Sequence, residues 1–271
     1  MGGFAATAQE SGPHAAVTLI HAGRLFDASG GRMLQDQDIL VRANRIERVG
    51  SKLAVPSDAR EIDLRDATVL PGFIDVHTHL ADSGHAGYES LGVSVPRMAL
   101  HGVKNAQRTL MAGFTTVRNV GAEGYGDVAL RDAINDGDVI GPRMQVSGPP
   151  LGISGGHCDN NLLPFNFHYS AEGVADGVPA VIAKVRETIK YGADVIKFCA
   201  SGGVFSKGDN PLLEQYSPDE MQALIAEAHR LGRKVATHAH ATIAIKDAVR
   251  AGVDSIEHGI FLDDEGIELM K

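Results

Sequence analysis

The chain has 271 residues and carries 34 acidic against 25 basic side chains, which gives a formal net charge of −9. Hydrophobic residues make up 44% of the chain, an ordinary globular composition that excludes an intrinsically disordered protein. The net negative charge, without any long run of basic residues, argues against a nucleic-acid or acidic-membrane partner. No apolar stretch approaches the ~18 residues of a transmembrane helix, so we expect no membrane partner.

The first 70 residues fall into two parts. Residues 1–16 are small and polar and predict a flexible tail. Within this tail, Ala6-Thr7-Ala8 resembles the remnant of a signal peptide, although the basic and apolar regions that precede such a site are missing. The sequence therefore leaves two alternatives for the location of the protein, the cytoplasm or export to the periplasm. Residues 17–70 hold three alternating, β-branched segments separated by turn residues, which predict a small β-domain.

After Pro71-Gly72 the pattern changes to short apolar strands that alternate with helical segments. The predicted strands lie at residues 73–77, 114–119, 143–148, 194–198, 234–238 and 254–258. The clearest helix follows Ser217, which forms a capping-box pattern with Glu220 and opens an amphipathic segment. Successive βα units with buried strands predict an α/β fold of the (β/α)8 TIM-type barrel class.

The length of this region does not suffice for a full barrel. A (β/α)8 barrel needs about 250 residues, and residues 71–271 accommodate about six of its eight units. An open arc of six strands would leave two unpaired edges, which is costly. We therefore expect a C-terminally incomplete barrel and a missing C-terminal segment that completes it.

Histidines recur where the predicted strands end, and barrel active sites lie at those ends. His77 and His79 stand two residues apart, so they face the same side of a strand and can share one metal ion. Two solvated loop histidines are the alternative. Asp75 lies on the same face and is expected to orient a ligand.

Lys197 stands inside an apolar strand, where burial favours its neutral amine. A neutral amine can react with carbon dioxide to give an N-carboxylate, whose two oxygens can bridge two metal ions. The alternative is a lysine whose ammonium group reaches solvent at the strand end. His238 and His258 end the next two strands and would each supply an imidazole. His240 is expected to contact substrate or an oxyanion, and a helix-capping role is its alternative.

Together these residues resemble the amidohydrolase superfamily, specifically its binuclear branch with a carboxylated lysine. The resemblance is carried by PGFIDVHTHL at 71–80, TTVRNVG at 115–121, SGGHCDN at 154–160, VIKFCASGG at 195–203, VATHAHA at 235–241 and SIEHG at 255–259. The GGH loop and the QYSPDEM segment are similar to the imidazolonepropionase-like subgroup, which includes metal-dependent Xaa-Pro dipeptidases and ochratoxin-hydrolysing amidohydrolases. The resemblance spans residues 17–271 and implies that residues 17–70 form the N-terminal part of a β-sandwich.

The resemblance also implies a metal centre. Two divalent ions, with zinc as the expected metal, would be held by His77, His79, N-carboxylated Lys197, His238 and His258. The sequence departs from the family in two places. The family's eighth-strand aspartate, a metal ligand and general base, has no counterpart here. The second-strand motif commonly carries an acid where this chain has Asn119, which would alter the charge near the ligands.

The implied reaction is attack of a metal-bridging hydroxide on an amide carbonyl, since a bound divalent ion makes hydroxide available near neutral pH. Lys197, His240 and Tyr216 are the expected catalytic residues, the last two as donors to the oxyanion. The expected substrate contacts are His157, Tyr216 and His240. The expected substrate is a small amide, either a dipeptide or an N-acyl amino acid, with ochratoxin-type amides included. We also expect a homo-oligomer.

Several alternatives stay open at this point. A cyclic-amide hydrolase or a deaminase of the same superfamily would use a similar pocket, although Lys197 favours a binuclear hydrolase. An inactive truncated fragment is the non-enzymatic alternative. Tyr216 has a second interpretation as a surface residue packed on Pro218. Cys158 and Cys199 lack the CxxC spacing of a metal site and predict small buried residues rather than a disulfide framework.

Overall fold

A computed structural model describes residues 16–271, and the chain divides into two compact units between Gly72 and Phe73. The predicted tail and the signal-like Ala6-Thr7-Ala8 segment therefore lie outside the described residues, except for Ala16. None of the helices in the described part of the chain combines the length and the hydrophobicity needed to cross a bilayer.

The first unit is a sheet of four strands, β1 (Val17–Asp27), β2 (Arg32–Arg42), β3 (Arg45–Gly50) and β4 (Arg60–Val69). Their order across the sheet is β3-β2-β1-β4, with β1 antiparallel to β2 and parallel to β4. Its apolar side chains form two small clusters centred on β1 and β2, which include Leu19, Leu25, Ile39 and Leu40. Alternation along the strands thus produces the core that the sequence pattern indicates.

One imidazole ties three strands of this sheet together. His21 on β1 is buried, and its Nδ1 lies 2.6 Å from Asp38 Oδ1 on β2. Its Nε2 lies 3.0 Å from Glu61 Oε2 on β4. Both ring nitrogens can donate to carboxylates only when the ring is protonated. The hydrogen bonds to Glu61 and Asp38 accordingly raise the pKa of His21 above its ordinary value.

The second unit alternates strands and helices in six βα pairs: β5 (Phe73–Thr78), α1 (Val95–Met111), β6 (Phe114–Asn119), α2 (Gly126–Asp136), β7 (Arg143–Val146), α3 (Val178–Lys190), β8 (Val195–Cys199), α4 (Pro218–Arg230), β9 (Lys234–Ala239), α5 (Thr242–Arg250), β10 (Ser255–His258) and α6 (Asp264–Met270). The strands pair in parallel as β5-β6-β7 and β8-β9-β10. A parallel bridge between Leu151 and Phe198 continues the hydrogen bonding from one set to the other. The predicted barrel-type fold is confirmed, and residues 16–271 contain six of its βα units.

The largest apolar cluster packs α3, α4 and α5 against β8 and β9. All five residues of β8 are buried, as expected for a parallel strand that is covered on both faces. Helix α4 begins as predicted. Ser217 caps it through the backbone N–H of Glu220, and the Glu220 side chain accepts from the backbone N–H of Ser217.

A buried polar network joins the carboxyl ends of β5, β6 and β7. Asn119 at the end of β6 accepts from the backbone N–H of Leu80 at 2.6 Å and donates to Asp127 Oδ2 at 3.2 Å. The same Asp127 oxygen accepts from the backbone N–H groups of Ser147 and Gly148, which follow β7. Burial raises the pKa of Asp127 above its ordinary value, although these hydrogen bonds oppose the shift. Asp127 on α2 thus places a buried acid next to Asn119.

We predict that His21 stabilises the first unit in a pH-dependent way. Because its folded-state pKa is raised, the stabilisation is fully present below the unfolded value of about 6.5 and is lost as the pH rises through the folded value. Hydrogen exchange of the β1 amides, compared between wild type and His21→Gln at each pH, measures this. The difference between the two proteins should shrink from pH 6 to pH 9. A constant difference would contradict the protonated bridge.

The Asp127 network generates a second prediction. Asp127→Ala leaves the donors of Asn119, Ser147 and Gly148 without their buried acceptor, which should cost about 2–4 kcal/mol of unfolding free energy. Urea unfolding followed by the helical circular dichroism signal reports this, since the helices described here all belong to the second unit. Asp136→Ala, an exposed acid on the same helix, is the matched control and should change stability by less than about 0.5 kcal/mol. Equal effects of the two variants would contradict the role of the network.

Candidate active site

The strand ends and the loop after β7 bring six imidazoles into one continuous cluster. The ring centroids of His77 and His79 lie 5.3 Å apart, and those of His77 and His258 lie 4.7 Å apart. The His258 ring also lies 4.7 Å from the His238 ring. His238 in turn contacts His240 and His157, at centroid distances of 4.5 Å and 4.1 Å. The histidines singled out from the sequence therefore come together at one place in the fold.

Lys197 lines the same cavity as the six histidines. Its side chain starts from the middle of β8 and is 4% exposed. Desolvation lowers the pKa of Lys197 to about 8, against the opposing charge of Glu257. An appreciable fraction of neutral amine is therefore available near neutral pH, as the apolar strand predicts.

Hydrogen-bond acceptors fix the tautomers of three of the imidazoles. His77 directs Nδ1 to the Glu257 carboxylate at 2.6 Å, and His79 directs Nδ1 to the Gly121 carbonyl at 3.3 Å. His238 instead directs Nε2 to the Gly202 carbonyl at 3.1 Å. A nitrogen that faces an acceptor of this kind must carry the proton, so the opposite nitrogen of each neutral ring holds a lone pair.

Burial in the cavity also favours the neutral form of His79, His238 and His258. Desolvation, followed by the charge of Lys197 and of neighbouring imidazoles, lowers the pKa of His79 to about 4. Desolvation likewise dominates at His258, whose pKa falls to about 4, and at His238, whose pKa falls to about 2. Neutral imidazoles with fixed tautomers are the form in which histidine binds a metal ion. These residues and Lys197 can therefore hold divalent ions, although no three His, Cys, Asp or Glu side chains within residues 16–271 already stand in a coordination arrangement.

Two charged residues of the site were missed by the sequence analysis. Glu257 is buried at 5% exposure, and besides His77 it binds Arg118 Nη2 at 2.5 Å and Ser255 Oγ at 2.9 Å. Desolvation opposes its ionisation, but the hydrogen bonds from His77 and Ser255 and the charge of Arg118 hold its pKa at about 2. The carboxylate at the His77 ring is thus Glu257, whereas the expected Asp75 accepts from the backbone N–H of His77.

Strand alternation explains why Glu257 was missed. Ser255 and Glu257 share one face of β10, so His258 should point to the other face. His258 instead has a left-handed backbone, with φ of 73°, and its side chain lines the cavity. A non-glycine residue in this region is uncommon and is concentrated at functional sites. Two consecutive residues of β10 thereby serve the same site.

His240 and His157 are both neighbours of His238. The backbone N–H of His240 donates to Ser201 Oγ, while its buried Nδ1 has no hydrogen-bond partner among residues 16–271. His157 binds Ser206 Oγ through Nδ1 at 2.6 Å. A Cβ atom at Gly203 would lie 2.2 Å from the His157 ring, so only glycine at position 203 leaves room for this imidazole.

The cavity in front of the cluster has a volume of about 560 Å³, within the usual range for small-molecule sites. The six histidines and Lys197 line it. The apolar part of the wall is formed by Val120, Ala122, Pro149, Pro150, Tyr169, Ala171, Val204, Phe205 and Ile260. The cavity therefore offers an apolar surface beside a group of nitrogen ligands.

Two sequence predictions need correction. Tyr216 does not reach the cavity: it is fully buried, packs against Phe198, and its hydroxyl donates to the Ala175 carbonyl at 3.1 Å. The position after the fourth barrel strand suggested the mouth of the site, but the side chain turns into the core. The two cysteines are also more than small buried residues, because a disulfide joins Cys158 to Cys199 with Cα atoms 6.1 Å apart. This disulfide links the loop after β7 to the end of β8.

Comparisons with known proteins agree with this geometry. Residues 68–271 match the profile of the Amidohydrolase family. The chain is 35% identical to ochratoxinase of Aspergillus niger over 280 residues, which cover 95% of this chain and 57% of that protein.

Two solved structures resemble the chain over nearly its whole length. The crystal structure of a Xaa-Pro dipeptidase with bound methionine in its active site superposes with a TM-score of 0.84 at 37% identity and covers 94% of this chain and 64% of that one. The crystal structure of A. niger ochratoxinase gives a TM-score of 0.82 at 32% identity and covers 95% of this chain and 63% of that one. The chain thus spans about three fifths of the length of the relatives that it matches. On the profile match and the histidine-lined barrel mouth together, this chain belongs to the Amidohydrolase family.

Proposed function

We propose that this chain forms the catalytic barrel of a metal-dependent hydrolase that cleaves the amide bond of a dipeptide or an N-acyl amino acid. The observation that carries the proposal is the meeting of His77, His79, His238, His258 and Lys197 at one cavity. The names of two relatives, ochratoxinase and Xaa-Pro dipeptidase, support an amide substrate.

The proposed ligands are these four histidines and the N-carboxylated form of Lys197. Carboxylation joins the neutral amine nitrogen of Lys197 to the carbon of carbon dioxide and releases one proton, which leaves an anion with two oxygens. When bound, two divalent ions, with zinc as the proposed metal, would polarise the amide carbonyl and make hydroxide available near neutral pH.

The remaining site residues act on the substrate in this proposal. His240 has a buried ring nitrogen without a partner among the described residues, which supports a hydrogen bond to the substrate carbonyl. His157 also contacts His238 and lines the cavity, and it would bind a second polar group of the substrate. The apolar wall that includes Tyr169, Val204 and Phe205 supports a substrate with a hydrophobic side chain. Tyr216 has no part in this proposal, because its hydroxyl is used inside the core.

Three further elements belong to the proposal. Within residues 16–271 the strands β5 and β10 each have one neighbouring strand, which supports additional strands that close the barrel.

The Cys158–Cys199 disulfide supports an oxidising compartment, since disulfides persist there. Exposed aromatic residues such as Phe165 and Phe167 support a homo-oligomer, which the native mass would report.

Replacement of Lys197 tests the proposed function. Lys197→Arg keeps a long basic side chain of similar size, but arginine stays protonated and cannot be carboxylated. We expect bound zinc to fall and kcat/KM for a Xaa-Pro dipeptide or an N-acyl amino acid to drop by at least about 100-fold. Lys190→Arg, an exposed lysine on α3, is the matched control and should leave both quantities unchanged.

The same assay separates the alternatives. Hydrolysis of cyclic amides or deamination of aminopurines, without cleavage of linear amides, would replace the proposed reaction by the corresponding alternative. A wild-type chain that neither binds zinc nor hydrolyses any amide would support the inactive-fragment alternative. Unchanged zinc content and rate in Lys197→Arg would contradict the role of the lysine.

A further inference from the structure

The Glu257 carboxylate joins the two edges of the six-stranded arc. Glu257 belongs to β10, whereas its partners His77 and Arg118 belong to β5 and β6. The Glu257–His77 contact spans 180 positions in the sequence, and the Glu257–Arg118 contact spans 139. These bonds therefore connect distant strands across the interior of the arc rather than along one sheet.

The partners of Glu257 leave its carboxylate little freedom. Arg118 and Ser255 both bind Oε1, at 2.5 Å and 2.9 Å, while the other oxygen, Oε2, accepts from His77 Nδ1 at 2.6 Å. Arg118 is itself fixed, because its Nε donates to the Val76 carbonyl at 2.7 Å and its Nη1 donates to Ser255 Oγ at 3.0 Å. The carboxylate is thus held on one oxygen and directs the other to the imidazole.

This arrangement determines which nitrogen of His77 faces the cavity. A carboxylate only accepts, so His77 Nδ1 must carry the proton, and in the neutral ring the lone pair then lies on Nε2. Without Glu257 the Nε2–H tautomer, which has no lone pair on that nitrogen, would become available, and the ring would lose a strong orienting bond. A metal-ligating histidine is commonly held in this way by a carboxylate.

We infer that Glu257 is a positioning residue of the active site, which, with Arg118 and Ser255 as its supports, fixes the tautomer and orientation of His77 so that Nε2 is presented to the cavity. The effect on zinc binding rests on the proposed function. The effect on the His77 tautomer applies to the metal-free chain and does not depend on the proposed function.

A pair of matched variants separates positioning from a structural role. Glu257→Gln removes the charge but keeps the size of the side chain. Glu227→Gln is the control, because Glu227 is likewise buried and binds two arginines, Arg186 and Arg230, but lies on α4 and does not line the cavity. Both variants lose a glutamate–arginine ion pair, and only the first affects His77.

Nitrogen-15 NMR of histidine-labelled, metal-free protein reads the His77 tautomer directly, with His77→Gln used to assign the signal. We expect wild type and Glu227→Gln to show a protonated Nδ1 and an unprotonated Nε2, and Glu257→Gln to lose this signature. In a chelator competition, Glu257→Gln should bind zinc about 10–100-fold more weakly than Glu227→Gln. The same His77 signature and the same zinc affinity in both variants would overturn the inference.

Two further variants keep the test decisive if Glu257→Gln does not fold. Glu257→Asp retains the charge next to Arg118 but shortens the side chain, so the bond to His77 should be lost while the ion pair persists. Ser255→Ala removes one hydrogen bond to Glu257 and should give a smaller loss of zinc affinity. An unchanged His77 signature in Glu257→Asp would also overturn the inference. If wild type binds no zinc but shows the predicted tautomer, the proposed function fails and the positioning of His77 is upheld.

Discussion

A buried carboxylate is costly unless a positive partner and hydrogen-bond donors meet it, and in this protein that requirement organises the barrel mouth. Glu257 is satisfied only where Arg118, Ser255 and His77 converge. Their convergence sets the relative positions of β5, β6 and β10 at the carboxyl ends of the strands. The arrangement of two imidazoles then follows, because His77 binds Glu257 and His258 directly succeeds it in the chain, which brings their ring centroids to 4.7 Å.

The second constraint on the site is the burial of its nitrogen atoms. Desolvation is the leading cause of the lowered pKa values at His79, His238, His258 and Lys197. Several basic groups crowded into one cavity would repel one another if they were all protonated. Their neutral forms relieve this repulsion and at the same time supply the lone pairs that a divalent ion requires. Burial of these groups thus favours both a stable fold and the binding of a divalent ion.

Much of this structure could be predicted from the sequence, because strand alternation and helix caps are local signals. The βα alternation, the capping box at Ser217 and the clustering of the strand-end histidines follow from such signals. The roles of Glu257, Arg118 and Asp127 could not be predicted, since each depends on partners many positions away. Glu257 was further obscured because a regular strand would place it and His258 on opposite faces, and only the left-handed backbone at His258 removes that conflict.

For Tyr216 the position relative to the strand was predicted correctly, but its surroundings were not, because it lies in the core and not at the mouth of the site. The residue does follow the strand that bears Lys197, but the chain turns its ring inward against Phe198. The cysteines could not be paired from the sequence either, since they are 41 positions apart and neither lies in a recognised spacing motif. Side-chain direction in loops depends on tertiary packing, which a pattern of residue types does not encode.

The disulfide between Cys158 and Cys199 has a consequence for local motion. It closes a covalent ring that contains the whole of α3. If α3 frays or detaches for a moment, the loop that carries His157 stays tethered within a short reach of the strand that carries Lys197. The return of His157 to its place is then an intramolecular event at high effective concentration. Transient opening of the outer helices therefore does not separate His157 from Lys197 by a large distance.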